Sequence, residues 1–349
     1  MRRFVWAVVV SLFAGCCGPA HATDPAFTAV TPPKEHISIQ GQAGYILSLA
    51  WLKGGTVIVG YTKSLGPPVA AQIWQLRVDG TGFRSVPLPR DSHCTGGWDD
   101  APSALADGRL AVTRVCQSPS SRGGIFSVVG YDLTTGRAED LVVPQEQVNP
   151  SSTSWNPAVD TAIASVSSSI CAHIFWLKHG GPQPLNVTIS EGGKTWRVDE
   201  EAPTANGGCD PDGRADLPAW SPDGGTIAFL GSPQSIGVKG QARLEMPWNV
   251  YLLNPVDLKL RKVLTDIKGP SELAWSPDSQ SLAFSGAMDN SGGLWLYRVT
   301  TGKLLRIDTD QPALVAWSPD GQKLAAITSV GREPDKGQYV LYSVAQVLN

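Results

Sequence analysis

Short apolar runs recur along this chain, each set beside a polar turn. In the second half they read Ile227-Ala228-Phe229, Leu282-Ala283-Phe284 and Leu324-Ala325-Ala326. Each follows a near-copy of one phrase: Ala219-Trp220-Ser221-Pro222-Asp223-Gly224, Ala274-Trp275-Ser276-Pro277-Asp278-Ser279 and Ala316-Trp317-Ser318-Pro319-Asp320-Gly321. Apolar runs of this length, bounded by turn residues, predict strands. Ser-Pro-Asp-Gly is a turn for a physical reason. Pro presets the backbone at the second position of a type I turn, Asp hydrogen-bonds nearby amides, and Gly accepts the left-handed conformation that brings the chain back. Each phrase therefore predicts a hairpin. The Trp before the turn is expected to pack between neighbouring units, because a ligand site has no need of the same Trp in every unit.

Worn copies lie upstream. Ala50-Trp51-Leu52-Lys53-Gly54-Gly55 leads into Val57-Ile58-Val59, Ala104-Leu105-Ala106-Asp107-Gly108 into Leu110-Ala111-Val112, and Ser154-Trp155-Asn156-Pro157 into Ile163-Ala164. The anchors fall at positions 51, 104, 155, 220, 275 and 317, and the intervals suit one four-stranded sheet per unit. A second marker, Thr300-Thr301-Gly302 and Thr134-Thr135-Gly136, sits where a third strand turns into a fourth. Six such sheets around a central channel make a β-propeller. After Trp317 the chain supplies only two further strands, so the alternating stretch His36-Ile37-Ser38-Ile39-Gln40 is expected to be the missing outer strand of the last blade and to protect its edge.

Trp-Ser-Pro-Asp-Gly followed by Leu-Ala-Phe resembles the TolB-type propeller repeat, found also in the propellers of prolyl oligopeptidases. The resemblance covers about residues 36–349. It implies an all-β fold: a six-bladed β-propeller of four-stranded antiparallel sheets, closed by an N-terminal strand. TolB carries an α/β domain before its propeller, whereas this chain has only a short segment, residues 23–35, between its leader and the first blade. The peptidases add a hydrolase domain, and no Gly-x-Ser-x-Gly elbow occurs here. The resemblance thus implies a stand-alone TolB-like propeller.

The start of the chain sets the compartment. Met1-Arg2-Arg3 is basic, Phe4 to Ala14 is apolar but too short to span a membrane, and Ala20-His21-Ala22 is a small-x-small cleavage site. Residues 1–22 read as a secretory signal peptide of a periplasmic or secreted protein. A second reading is a lipoprotein leader, with Phe13-Ala14-Gly15-Cys16 as the lipobox and a lipid anchor on Cys16. No other segment predicts a transmembrane span. The net charge is −3, and cleavage removes Arg2 and Arg3 and no acid, which makes it −5. A mildly acidic chain without a basic run is poorly suited to nucleic acid.

Four cysteines follow the leader, an even number that suggests disulfides in an exported protein. In a propeller the loops between blades and the second-to-third-strand loops share one face. That placement predicts the pairs Cys94–Cys116 and Cys171–Cys209; the alternative is four free buried thiols.

The same loop-rich face is where recognition is expected, since long loops on a rigid scaffold carry it. Residues 90–101 contain His93, Trp98, Asp99 and Asp100. Residues 190–216 contain Trp196, Arg197, Glu200, Glu201, Asp210, Asp212, Arg214 and Asp216, and are far longer than an ordinary connection. Residues 231–249 contain Lys239, Arg243, Glu245 and Trp248. Asp100 and Asp216 stand four positions before their anchors and Glu272 three before its own, so the channel mouth is expected to be partly acidic. This could receive a cation, an amine or a basic peptide end, or could simply be solvated carboxylate. Trp98, Asp99, Asp100, Trp196, Arg214, Asp216 and Glu272 are the candidate partner-binding residues. Asp210, Asp212 and Asp216 flank Gly213 as in a calcium loop, but the later bidentate Glu is missing, and a surface turn is the simpler reading. No histidine pair has metal-ligand spacing, and no phosphate loop occurs.

These features favour a non-enzymatic, monomeric binding propeller of the cell envelope that engages a protein or peptide partner through its loop-rich face, with no cofactor. One alternative is a small propeller enzyme of lactonase or sugar-lyase type, with a divalent metal such as calcium at Asp100, Asp216 and Glu272. Another is carbohydrate binding on Trp98, Trp196 and Trp248.

Overall fold

In the computed structural model, which describes residues 31–39, 44–63, 71–89, 94, 97–105, 107–116, 125–146, 152–156, 161–167, 172–178, 181–199, 213–233, 246–309, 312, 314–327 and 338–344, every regular element is a β-strand. The strands form six four-stranded antiparallel sheets in propeller order. Blade 1 is β2 (Tyr45–Leu52), β3 (Thr56–Thr62), β4 (Gln72–Arg77) and β5 (Arg84–Ser85). Blade 2 is β6 (Gly97–Ala104), β7 (Leu110–Cys116), β8 (Ile125–Tyr131) and β9 (Ala138–Glu146). Blade 3 is β10 (Ser152–Asn156), β11 (Thr161–Ser167), β12 (Ala172–Lys178) and β13 (Gly181–Gln183), followed by a separate hairpin of β14 (Thr188–Glu191) and β15 (Lys194–Arg197). Blade 4 is β16 (Arg214–Trp220), β17 (Ile227–Ser232), β18 (Trp248–Leu253) and β19 (Leu260–Ile267). Blade 5 is β20 (Ala274–Trp275), β21 (Ser281–Met288), β22 (Ser291–Arg298) and β23 (Leu304–Asp308). Blade 6 is β24 (Leu314–Trp317), β25 (Lys323–Ile327), β26 (Gln338–Ser343) and, outermost, β1 (Lys34–Ser38). Residues 1–22, where a leader is expected, and Cys171 and Cys209 lie outside the described residues.

The apolar runs are continuous because both faces of each sheet are buried. Successive residues serve opposite neighbours. Ile227 and Phe229 pack toward blade 3, while Ala228 and Leu230 pack toward blade 5. Leu282 and Phe284 face blade 4 and Ala283 faces blade 6. Val57 and Val59 face blade 6 and Ile58 faces blade 2. Each fully buried side chain of this size contributes roughly 1.5–3 kcal/mol, so the blade junctions carry most of the apolar stabilisation.

The repeated phrase is a turn held in the same way three times. Ser221, Ser276 and Ser318 each donate a hydroxyl to the Asp two residues on, at 2.6, 2.5 and 2.6 Å. Each carboxylate also accepts the backbone N–H of Gly225, Gln280 or Gln322. The next position is left-handed in all three, with φ of 75° at Gly224, 60° at Ser279 and 70° at Gly321. Ser279 has no glycine freedom there, but its hydroxyl accepts the Asp223 N–H of blade 4 at 3.1 Å, which offsets the strain. The tryptophans pack between blades, as the repeat predicts. Trp275 Nε1 donates to the Ala219 carbonyl of blade 4, and Trp317 Nε1 to the Ala274 carbonyl of blade 5, both at 3.0 Å.

β1 runs antiparallel to β26, with Lys34 opposite Tyr342 and Ser38 opposite Gln338. Lys34 also pairs with Asp308 of blade 5 at 2.7 Å, and Asp308 is 4 % exposed. Deleting residues 31–39 is expected to lower the melting temperature by roughly 10 °C, the equivalent of a few kcal/mol in a domain of this size. A thermal melt that does not move would show that this strand contributes nothing to holding the ring.

Candidate functional site

The inner strands β2, β6, β10, β16, β20 and β24 line a central channel. Near the face that carries the Ser-Pro-Asp turns they enclose a cavity of about 460 Å³. Its wall includes Trp51, Trp155, Trp220, Trp275 and Trp317, with Lys53 and Glu272 as its charged side chains. Lys53, Pro222 and Pro277 are exposed at the rim, so the cavity meets solvent there. Its polar groups belong largely to the junctions. Ser154 accepts the Trp220 N–H at 2.9 Å, and Asn156 Nδ2 donates to the Ser221 carbonyl at 3.0 Å.

The other end of the channel differs from the acidic mouth expected from sequence. Asp216 is fully buried, accepting the Ser165 hydroxyl of blade 3 and the Leu217 N–H, both at 2.8 Å. Asp100 is half-buried and accepts the Ser48 hydroxyl of blade 1. Burial holds its carboxyl above the usual carboxylate range, against the hydrogen bonds from Ser48 and the Ala101 N–H. Both aspartates begin the same device. The residue after each is left-handed, Ala101 at φ 47° and Leu217 at φ 49°, a proline follows, and the strand bulges. Gly60 makes room for the first: a Cβ there would collide with Asp100 Oδ1 and Ser48 Oγ. The sequence signal for this blade-to-blade clasp is the shared Asp-x-Pro of Asp100-Ala101-Pro102 and Asp216-Leu217-Pro218.

Several other candidates are internal and are corrected here. Asp99 pairs with Arg114, directly opposite on β7, at 2.8 Å, and both side chains are 6 % exposed. Arg214 is 1 % exposed. Trp196 and Trp248 are buried in blade junctions and offer no ring face to a sugar. Gly213 is what admits Trp196, since a Cβ there would strike the indole. Trp98 is half-buried against the same core, and Glu272 alone of the acidic trio lines the cavity. Apart from Asp99, whose partner Arg114 lies on the next strand of the same blade, these placements depend on packing against residues distant in sequence.

Cys94 and Cys116 form a disulfide with Cα atoms 5.0 Å apart, tying the loop before blade 2 to the end of its second strand. Among the described residues there is no group of three or more His, Cys, Asp or Glu side chains that could hold a metal. Asp210 and Asp212 lie outside the described residues, as does the Cys171–Cys209 pair. His173, missed in the sequence as a charge partner, is buried at the junction of blades 3 and 4. Burial lowers its basicity, Arg214 acts in the same direction, and the carboxylates of Asp199 and Asp216 oppose them.

No family model matches the chain, and no curated protein does. Among solved structures it is similar to a putative TolB from Agrobacterium tumefaciens (TM-score 0.49, 14 % identity, covering 90 % of this chain and 99 % of that one). It is similar also to TolB from Acinetobacter baumannii (TM-score 0.45, 14 % identity, 75 % of this chain), of which it spans only 53 %. An oligogalacturonate lyase in complex with manganese is comparable (TM-score 0.48, 13 % identity, 93 % and 99 % covered). At these identities the likeness is one of architecture alone. The six sheets of this chain define it, independently of these likenesses, as a six-bladed β-propeller.

Two expectations follow. A histidine with a depressed folded pKa means that the folded state binds fewer protons than the unfolded one. Its contribution is therefore full above about pH 6.5 and declines as pH falls below that value. Urea unfolding at pH 7.5 and 5.5 should show this loss, and His173→Gln should reduce it; an unreduced loss would assign it elsewhere. At Asp100 the sign is opposite, since a raised carboxyl is penalised when ionised. Asp100→Asn keeps an acceptor for Ser48 and is expected to be neutral or stabilising at pH 7. Asp100→Ala should lose about 1–2 kcal/mol. Equal losses in the two variants would remove the burial account.

Proposed function

We propose that this protein is an exported binding propeller of the cell envelope that holds a segment of a protein or peptide partner. The observation that carries this reading is the cavity on which all six inner strands converge. Its wall combines tryptophans, prolines and leucines with serines, Thr153 and Asn156, and carries one cation and one anion, Lys53 and Glu272. A concave site that mixes apolar and polar groups in similar measure suits a short stretch of peptide, which brings both side chains and backbone amides. The aspartates at the far end are engaged with serines of neighbouring blades. This favours recognition at the turn-side cavity over chemistry at the opposite mouth. Export is supported by the leader over residues 1–22 and by Cys94–Cys116, since disulfides persist in oxidising compartments.

The test uses the full chain, tagged at its C-terminus, as bait in envelope extract beside a Lys53→Glu/Glu272→Lys double variant. A partner held by the wild type and lost from a variant of unchanged melting temperature is the expected result. Equal capture by both would move the site away from the cavity. No partner with either would overturn the binding reading.

A further inference from the structure

The hairpin β14–β15 stands outside the four-stranded sheet of blade 3 and reaches across to blade 4. Its two-residue turn, Gly192-Gly193, is left-handed at both positions, with φ of 58° and 78°. Its base is fixed by Trp196 in the core and by Asp199, which accepts the Asn186 N–H at 2.6 Å. Its tip is held differently, through the carboxylate of Glu191. That group accepts from Tyr251 Oη at 2.5 Å, Lys262 Nζ at 2.8 Å and Asn249 Nδ2 at 3.1 and 3.3 Å. All three donors come from β18 and β19.

Two of the three donors, Asn249 and Tyr251, have holding contacts that do not involve the hairpin, while Lys262 reaches in from the surface. Asn249 turns its amide nitrogen toward Glu191 because its oxygen accepts the Asp266 N–H at 3.2 Å. Tyr251 is stacked on Phe229, with centroids 5.4 Å apart and planes at 17°. Gly231 leaves room for its ring, since a Cβ there would come within 2.7 Å of it. With the hairpin in place, Asn249 and Tyr251 are 4 % and 2 % exposed. Two neutral donors and one cation converging on a single point form a ready-made carboxylate site, with charge-assisted bonds to a planar anion.

We infer that Asn249, Tyr251 and Lys262 form a binding site for a carboxylate side chain of a partner segment, and that Glu191 occupies it as an internal stand-in. The site lies at the junction of blades 3 and 4, apart from the channel cavity, and does not depend on what the cavity binds. Because Glu191 is tethered, its effective concentration at the site is high, and free carboxylates compete poorly with it. A partner would engage by displacing the hairpin tip while Trp196 keeps its base in place.

Chemical rescue tests this. Glu191→Ala empties the site and should lower the melting temperature by several degrees. Acetate should then restore at least half of the loss, saturably, while sodium chloride at equal ionic strength should not. Adding Lys262→Met should abolish the rescue, and the wild type should not respond. N-Acetylglutamic acid α-amide, which carries a side-chain carboxylate, should rescue better than N-acetylglycine, which carries a terminal one; the reverse order would overturn the assignment to a side chain. If Glu191→Ala is too unstable to melt cleanly, the same titrations are read on Glu191→Ser, which also vacates the site, by hydrogen exchange over residues 188–197. Equal effects of acetate and chloride, or rescue that survives Lys262→Met, would overturn the site. Either result stands whether or not the extract experiment finds a partner.

Discussion

Everything in this molecule depends on sheets that have no exposed face. A blade is one sheet thick, and each side must be covered by a neighbour. The alternation of side chains along a strand meets this requirement at the level of single residues. At β17 the chain sends Ile227 and Phe229 one way and Ala228 and Leu230 the other, and the same division repeats at β21 and β25. No blade has a core of its own, so none is a stable unit by itself. The tryptophan bonds from blade 5 to Ala219 and from blade 6 to Ala274 add direction to the packing by fixing the register of one inner strand against the next.

The parts of the fold legible in the sequence are those whose causes are local. Ser221, Pro222, Asp223 and Gly224 satisfy one another within a single turn, so the turn can be derived from four letters. The number of blades follows from repeating that unit. The fate of the two clasp aspartates has causes that lie a whole blade away. Asp100 is engaged by Ser48 and admitted by Gly60, and Asp216 by Ser165. Nothing near Asp100 in sequence announces Gly60. The Asp-x-Pro pair was the available sign, and it becomes meaningful only once both copies are known to bulge. Residues 190–216 illustrate the same limit: their length marks a special segment, yet their first third is a regular hairpin turned by two glycines.

The molecule therefore has two kinds of polar group. One kind belongs to the ring: the turn aspartates, the clasp aspartates and the Asp99–Arg114 pair each complete a contact that apolar packing leaves open. The other kind stands where the ring is finished and something can be added. Lys53 and Glu272 at the cavity, and the donors around Glu191 on blade 4, are of this kind. A propeller gains function by such additions, because the scaffold is already specified by the repeat.

The placement of β1 beside β26 also governs how the protein reaches this state. Lys34 must find Tyr342 and Asp308, the latter 274 positions along the chain, and the sixth sheet has no outer strand until it does. Contacts of such separation are slow to form, since a long loop must close before any gain is realised. During that interval β26 is a free edge beside apolar residues such as Tyr339 and Leu341, and free edges recruit other chains. Yield on refolding should therefore be limited by concentration and by the time taken to join the two ends of the ring, more than by the stability of the finished one.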